Sequence, residues 1–388
     1  MRVAIIGAYP LEGAAIGGAA KICRQLAELL AARDDLDVHV VTATTAFDGD
    51  RHFEDGRMHI HAAGAAGWLP LGVRLYFGIW RRQVRLLREV APDIVHAQDP
   101  FEGLVAIEAG FPTVVTVHGI LFREVQFIGG LRRLWAAVHL HYFRKGLRKA
   151  RHVVSISPYA QEELRGLTGA TFYHVPNPVS CAFFDVGEGA VPGRILHVGM
   201  VSQRKGVLEL VQAFRQVHRK HPHARLRIAG LCREPNYQAA IEAYIAQEGL
   251  GEAVAFLGAI SEEQVVEELR QASILALMSR QETAPISIGE AMAAGRAVVS
   301  TRVCGIPYMV DDGVTGLLVE SEDVNAFAGA LERLVADPAL CRDMGLRGRQ
   351  KALREYHPDR IVDQTLEVYR RVLQQEGAAA PDRKGEPS

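Results

Sequence analysis

The chain has 388 residues, too many for one ordinary core at roughly 150 residues per domain, so two or three domains are expected. Hydrophobic residues make up 48% and charged residues 23%, a globular composition that excludes wholesale disorder. A formal net charge of −1 excludes a global field that would recruit nucleic acid, and no apolar run approaches the roughly 18 residues of a membrane span.

The opening segment, MRVAIIGAYP, runs straight into Gly and Pro, and its apolar run is too short for a signal-peptide core. The five cysteines (Cys23, Cys181, Cys232, Cys304, Cys341) are scattered without a CxxC pair. Their spacing points to neither a zinc site nor a disulfide framework, and a reducing, cytoplasmic setting is expected.

In chain order, β-branched runs at Val3–Ile6, Val38–Thr42, Ile94–His96, Val114–Val117 and Val153–Ile156 predict strands. Most lack polar alternation, the mark of parallel strands covered on both faces. Lys21–Ala32 carries apolar residues at helical spacing, and the alternation of strand with helix predicts a doubly wound sheet. Val175-Pro176-Asn177-Pro178 and the Gly/Pro-rich stretch from Gly187 to Gly193 mark a boundary. A second series follows at Ile195–Val198, Leu226–Ala229, Val254–Leu257, Ile274–Leu277 and Ala297–Ser300. Two Rossmann-like domains are therefore expected, over residues 1–178 and 190–355. A last helix is expected over about Pro358–Gln374, with Val362, Leu366, Tyr369 and Leu373 on one face, packing back on the first domain. Residues 376–388 are expected to form a disordered tail.

A dinucleotide site would need GxGxxG after the first strand and an acid at the end of the second. Here Gly7 is followed by Ala8-Tyr9-Pro10, and the second strand ends Val41-Thr42-Ala43, so the fingerprint fails twice. A P-loop is also absent. Two doubly wound domains without either motif leave nucleotide-sugar chemistry as the leading reading.

The most informative stretch is Ser279–Ser300, SRQETAPISIGEAMAAGRAVVS, in which seven residues separate Glu282 from Glu290 and Pro285 opens a helix. It is followed by Gly305-Ile306-Pro307 and by Asp312-Gly313-Val314-Thr315-Gly316. Earlier anchors are Gly17-Gly18, Thr116-Val117-His118-Gly119, Ser155-Ile156-Ser157 and Val198-Gly199 with Lys205-Gly206. Together these resemble the family 4 (group 1) glycosyltransferases of GT-B fold, over nearly the whole chain.

The resemblance implies an α/β GT-B architecture, two Rossmann-like doubly wound domains facing across an interdomain cleft. It implies a retaining hexosyltransferase that takes a UDP- or GDP-linked sugar and requires neither metal nor cofactor. The acceptor would be a glycan, a lipid-linked saccharide or a small molecule, and the setting polysaccharide or glycolipid biosynthesis.

By the same resemblance Lys205 stabilises the leaving diphosphate, Glu282 faces the donor sugar and His118 contacts that sugar. Glu290 would accept the ribose hydroxyls, which suits a carboxylate because it offers only acceptor sites. The helix start opened by Pro285 would present the backbone N–H groups of Ile286 and Ser287 to phosphate. Gly17 and Gly18 would let backbone approach the ligand closely. Met200 stands where the family often has arginine, and Arg204 is the expected substitute cation. The segment Glu282-Thr283-Ala284-Pro285 departs from the family's EGFG, an expected change in the sugar subsite. Rival readings are a non-catalytic scaffold on a degenerate GT-B fold and another GT-B enzyme such as a sugar-nucleotide epimerase.

Residues 121–151 hold Arg123, Arg132, Arg133, Arg144, Lys145, Arg148, Lys149 and Arg151 against the single acid Glu124, interleaved with Phe122, Phe127, Leu131, Leu134, Trp135, Tyr142 and Phe143. Trp68–Arg88 adds Trp80, Arg81, Arg82, Arg85 and Arg88. Such a surface suits an anionic membrane or a lipid-phosphate acceptor, so peripheral contact at the inner membrane face is a further expectation.

Overall fold

The computed structural model describes residues 1–11, 17–44, 46–65, 78–127 and 132–379. The chain divides into two compact units, one of residues 1–178 with 359–388 and the other of residues 179–358.

The first unit is built on eight strands: β1 (Arg2–Ile6), β2 (Asp37–Thr44), β3 (Asp48–Asp55), β4 (Met58–Ala65), β5 (Ile94–Ala97), β6 (Thr113–Val117), β7 (His152–Ser155) and β8 (Thr171–His174). Their order in the sheet is β3-β4-β2-β1-β5-β6-β7-β8, and every pair is parallel except β3 with β4. Strand periodicity sends neighbouring side chains to opposite faces. Val3 and Ile5 pack on Cys23, Leu26 and Leu30 of helix Gly18–Ala31, while Ala4 and Ile6 join Leu86, Leu87 and Phe143 on the other face. Apolar runs with no polar alternation are the consequence of that double cover.

Three elements of this unit fall outside the runs expected from sequence. β3 is an edge strand with no buried residue, β8 is the opposite edge, and β4 alternates Met58, Ile60 and Ala62 inward with His59 outward. One face of an edge hairpin meets water, so its signal is alternation rather than a β-branched run.

Helix Pro358–Ala379 returns to this unit. Ile361, Val362, Leu366, Tyr369 and Val372 lie in one core cluster with Val3, Val38, Val40, Ile94 and Val114. The helix continues through Ala379, so residues 376–379 of the expected tail are helical; residues 380–388 lie outside the described residues. Tyr369, fully buried, meets Nδ1 of His96 at 2.7 Å, and His96 Nε2 meets Thr116 Oγ1 at 2.6 Å. Burial, reinforced by His118, pushes the His96 imidazole down to about 3, and burial pushes the Tyr369 phenol up. The neutral ring has one donor and one acceptor nitrogen, and the two hydroxyls can satisfy both.

The second unit has six strands: β9 (Arg194–Val198), β10 (Arg225–Ala229), β11 (Val254–Gly258), β12 (Ile274–Leu277), β13 (Ala297–Thr301) and β14 (Gly316–Val319). They are all parallel, in the order β11-β10-β9-β12-β13-β14. Ile195, Ile274 and Ala276 face one core, and Leu196, Leu275 and Leu277 face the other. The stretch 179–189, left between the two expected domains, belongs here because Val179, Phe183, Phe184 and Val186 are buried in the second of these cores. The expectation of two doubly wound α/β units holds.

Replacing Tyr369 by Phe keeps the ring and removes the hydroxyl that meets His96 Nδ1, leaving that buried nitrogen without a partner among the described residues at about 1–3 kcal/mol. Tyr369→Phe is expected to lower the thermal midpoint of the first unit by several degrees in a calorimetric scan, with that of the second unit unchanged.

Candidate active site

In an open parallel sheet, ligands bind at the carboxyl ends of the strands where the strand order reverses. In the second unit the chain runs outward from β9 through β10 to β11, then returns to β12 and runs outward through β13 to β14. The switch point lies between β9 and β12, and the loops leaving these two strands carry the residues singled out above.

After β9 the chain makes one 3-10 turn, Gln203–Lys205, and then Gly206 takes φ 61° before helix Val207–Lys220. A Cβ at Gly206 would stand 2.1 Å from the Met278 carbonyl oxygen, so both the conformation and the space demand glycine. This close approach to the end of β12 carries Lys205 into the loop that follows that strand. There Lys205 Nζ donates to Glu282 Oε1, which also accepts from Ser279 Oγ at 2.8 Å. Arg204 Nη1 lies 3.8 Å from Glu282 Oε2 and donates to the Gln281 carbonyl at 2.8 Å. The loop backbone is tied at Gly305 N to Glu282 O, 2.9 Å, and at Arg280 N to Arg204 O, 2.8 Å.

Lys205 and Glu282 are both buried, at 8% and 5% exposure. Burial by itself raises the Glu282 carboxyl, but Lys205 and Arg204 outweigh it and the net shift is downward, so Glu282 is an anion here. His197 lies on β9, fully buried, and burial together with Lys205 pushes it down to about 4. It is neutral, with Nδ1 3.1 Å from the Ala276 carbonyl, and it adds no second positive charge. Three buried polar atoms in this region, His197 Nε2, Gln281 Nε2 and Thr283 Oγ1, have no hydrogen-bond partner among the described residues. Unsatisfied polar atoms are uncommon in folded proteins, and a concentration of them fits a polar ligand.

Helix Ile286–Ala293 starts at the end of the same loop, with Pro285 at its N-cap and no side-chain cap. Ser287 and Glu290 are three residues apart, which places them on one helix face, and both are buried. Lys205, Arg204 and Glu282 are thus brought together directly, with Pro285, Ile286, Ser287 and Glu290 on the element that leaves their loop. Sequence reasoning missed His197, Ser279 and Gln281; a strand-end histidine and polar residues flanking the first glutamate were the available signals.

Gly17, Gly18 and His118 belong to the first unit, whose own switch point lies between β1 and β5. Gly17 has φ 102° and caps helix Gly18–Ala31; the preceding residues 12–16 lie outside those described. His118 follows β6, and its Nε2 meets Gln98 Oε1 at 2.8 Å, just past β5. Burial pushes His118 down to about 4 despite Asp99, so the ring is neutral, donates to Gln98 and leaves Nδ1 as an acceptor. Asp99 caps helix Pro100–Ala109 through Phe101 N at 2.7 Å, and burial and Asp99 push the Glu102 carboxyl well up. Gln98, Asp99 and Glu102 were not singled out from sequence.

The buried ion pair yields a stability prediction. Removing one partner of such a pair leaves an uncompensated charge and costs about 3–5 kcal/mol, whereas replacing both by apolar groups is often neutral. Lys205→Met and Glu282→Leu are each expected to lower the midpoint of the second unit sharply in thermal melts. The double variant is expected to recover most of the loss while remaining without activity.

Two family descriptions match the chain: glycosyltransferase family 4 over residues 16–183 and glycosyl transferases group 1 over residues 184–351. Among characterised relatives, the α-maltose-1-phosphate synthase of Mycolicibacterium smegmatis is 29% identical over 73% of this chain and 80% of that protein. The α-D-kanosaminyltransferase of Streptomyces kanamyceticus is 25% identical over 78% of this chain and 86% of its own. Among solved structures, sucrose-phosphate synthase from Thermosynechococcus elongatus superposes with a TM-score of 0.80 at 25% identity, covering 98% of this chain and all of that one (100%). Anabaena HepE in complex with UDP and glucose gives a TM-score of 0.74 at 18% identity, over 96% and 100% of the two chains.

Proposed function

The chain belongs to the group 1, family 4 glycosyltransferases of GT-B fold, and from that premise we propose that it transfers a sugar, with retention, from a nucleotide-diphosphate donor. The observation that carries the donor site is the buried Lys205–Glu282 pair at the β9/β12 switch point of the second unit.

In this reading Glu290 accepts hydrogen bonds from the ribose diol. The diphosphate sits at the uncapped start of helix Ile286–Ala293, where backbone N–H groups and the helix dipole favour negative charge. Lys205, with Arg204 beside it, moves from Glu282 toward the phosphate, and Glu282 turns to the sugar hydroxyls. As the bond from the anomeric carbon to the phosphate oxygen breaks, the acceptor oxygen bonds that carbon from the same face, and its proton passes to the leaving phosphate oxygen. Lys205 and the helix start stabilise the charge that develops there, a contribution of a few kcal/mol to the barrier and a role often filled by a metal. The relatives include an α-maltose-1-phosphate synthase and an α-D-kanosaminyltransferase, which supports keeping small molecules beside glycans and lipid-linked saccharides as the acceptor class. A fold neighbour solved with UDP makes uracil the first base to test.

Thermal melts with UDP, GDP and ADP test the donor site. A nucleotide at about 100 times its Kd stabilises by roughly 2.7 kcal/mol, a shift of several degrees. One of the three is expected to give that shift and Glu290→Ala to abolish it. No shift with any of them would favour a non-catalytic scaffold.

A basic helix supports a peripheral membrane contact. Helix Arg132–Lys149 contains no acid, and Arg133, Arg144, Lys145 and Arg148 lie on its exposed surface with Leu134 and Trp135, which are 66% and 40% exposed. The other basic stretch contributes less. Arg82 and Arg85 pair with Asp48 and Asp50 of β3, Trp80 packs on Phe101, and Trp68 lies outside the described residues. Phe143 is buried and Arg123 pairs with Glu163. Co-sedimentation with vesicles containing anionic lipid at low salt is expected to fall several-fold in the double variant Leu134→Glu, Trp135→Glu. Equal binding by that variant, or none by the parent, would remove the membrane from this account.

A further inference from the structure

The edge of the first unit's sheet gathers four histidines from three neighbouring strands. β2 and β4 run parallel with His39 opposite His59, and β4 runs antiparallel to β3 with His61 opposite His52. Because side chains alternate, Asp37 and His39 share a face, as do His59 and His61. The rings stack, with His39 and His59 centroids 4.8 Å apart and those of His39 and His61 5.2 Å apart.

Asp37 holds the centre of this group. Its Oδ2 accepts from Arg2 Nε at 2.7 Å, which leaves Oδ1 facing the histidines. His39 Nε2 stands 3.1 Å from Oδ1 and His59 Nε2 3.7 Å from it. The three ligand atoms all lie within 4.8 Å of one another. Around a tetrahedral Zn²⁺ with bonds near 2.0–2.1 Å, ligand atoms are about 3.3 Å apart, so two edges are close to length already and the third closes by a ring rotation. His59 has the freedom for that rotation, its side chain being 47% exposed.

The other ring nitrogens are also arranged. His39 Nδ1 meets His61 Nε2 at 2.9 Å, and His61 Nδ1 meets His52 Nδ1 at 2.8 Å. With the protons on His39 Nδ1 and His61 Nδ1, each ring donates to the next and His39 Nε2 carries a bare lone pair. That nitrogen is buried and faces Asp37 Oδ1, and among the described residues it has no other partner, so an ion entering between the two would displace only that contact. A partner that orients a ligating histidine through its second nitrogen is the usual support of a metal site.

We propose that Asp37 Oδ1, His39 Nε2 and His59 Nε2 bind a divalent first-row transition ion of the Zn²⁺ class, with water in the fourth position. Two imidazoles and one carboxylate suit such an ion and disfavour Mg²⁺ or Ca²⁺, which take oxygen ligands. The ion would join β2 to β4 and so pin the β3–β4 hairpin, whose outer strand buries no residue of its own. The proposal is independent of the transferase reading. Local spacing does not reveal the site, because His39 and His59 are 20 residues apart and meet only through the parallel register of β2 and β4.

The test uses the full-length protein, stripped of metal and titrated with Co²⁺, whose visible absorption reports tetrahedral coordination. The expected result is one Co²⁺ per chain, displaced by equimolar Zn²⁺ but not by excess Mg²⁺, with a higher thermal midpoint when Zn²⁺ is bound. His59→Gln, at a half-exposed position that leaves folding intact by circular dichroism, and Asp37→Asn are each expected to weaken binding at least about tenfold. His221→Gln, in the separate His221–His223 pair, is expected to bind like the parent. Absence of Co²⁺ binding by the parent, or absorption that survives His59→Gln unchanged, would overturn the proposal.

Discussion

A lysine and a glutamate withdrawn from water at the ends of two parallel strands impose the tightest condition in this molecule. Each ion loses several kcal/mol of hydration on burial, and only close, well-supported contact between them offsets it. Lys205 and Glu282 meet that condition through backbone rather than through chance proximity. Gly206 takes a left-handed conformation against the Met278 carbonyl, Gly305 N holds the Glu282 carbonyl and Ser279 supplies a second donor to the carboxylate. The neutral His197 beneath them keeps the local charge balanced. Buried ion pairs are weak sources of stability, so stability alone does not account for a pair supported this heavily.

A diphosphate arriving at the β9/β12 switch point would meet a lysine already desolvated and already positioned, held until then by Glu282. Exchange of one anionic partner for another costs less than bringing a hydrated lysine in from solvent, which is what preorganisation means for a developing charge. The first unit follows the same topological rule with different chemistry. At its β1/β5 switch point the side chains are neutral His118 and Gln98, with Asp99 capping a helix and a Glu102 carboxyl raised by burial. That set is suited to hydrogen bonding rather than to holding phosphate.

How much of this was legible depended on where the information sat along the chain. The buried central strands carry uninterrupted apolar runs, so β1, β5, β6, β9, β12 and β13 were readable, and the spacing of Glu282, Pro285 and Glu290 placed them on a loop and the helix after it. The edge hairpin β3–β4 was not readable, because an exposed face replaces the run with polar alternation. Gln98, Asp99 and Glu102 were missed because what marks them out is a contact with His118, a helix cap and burial, none of which a local pattern records. The Lys205–Glu282 contact spans 77 residues and the His39–His59 pairing depends on strand register; both are products of topology. The C-terminal helix was readable from its apolar stripe, but its last turn was hidden by Gly377 and the polar residues that follow.

The proposed diphosphate site is the Lys205–Glu282 pair, held closed by its own charges. Its most direct test is a crystal structure of the protein with an intact nucleotide-diphosphate sugar. The account expects the diphosphate at the carboxyl ends of β9 and β12, with Lys205 Nζ on a phosphate oxygen and Glu282 released toward the sugar. A nucleotide bound elsewhere, with Lys205 still paired only to Glu282, would contradict it.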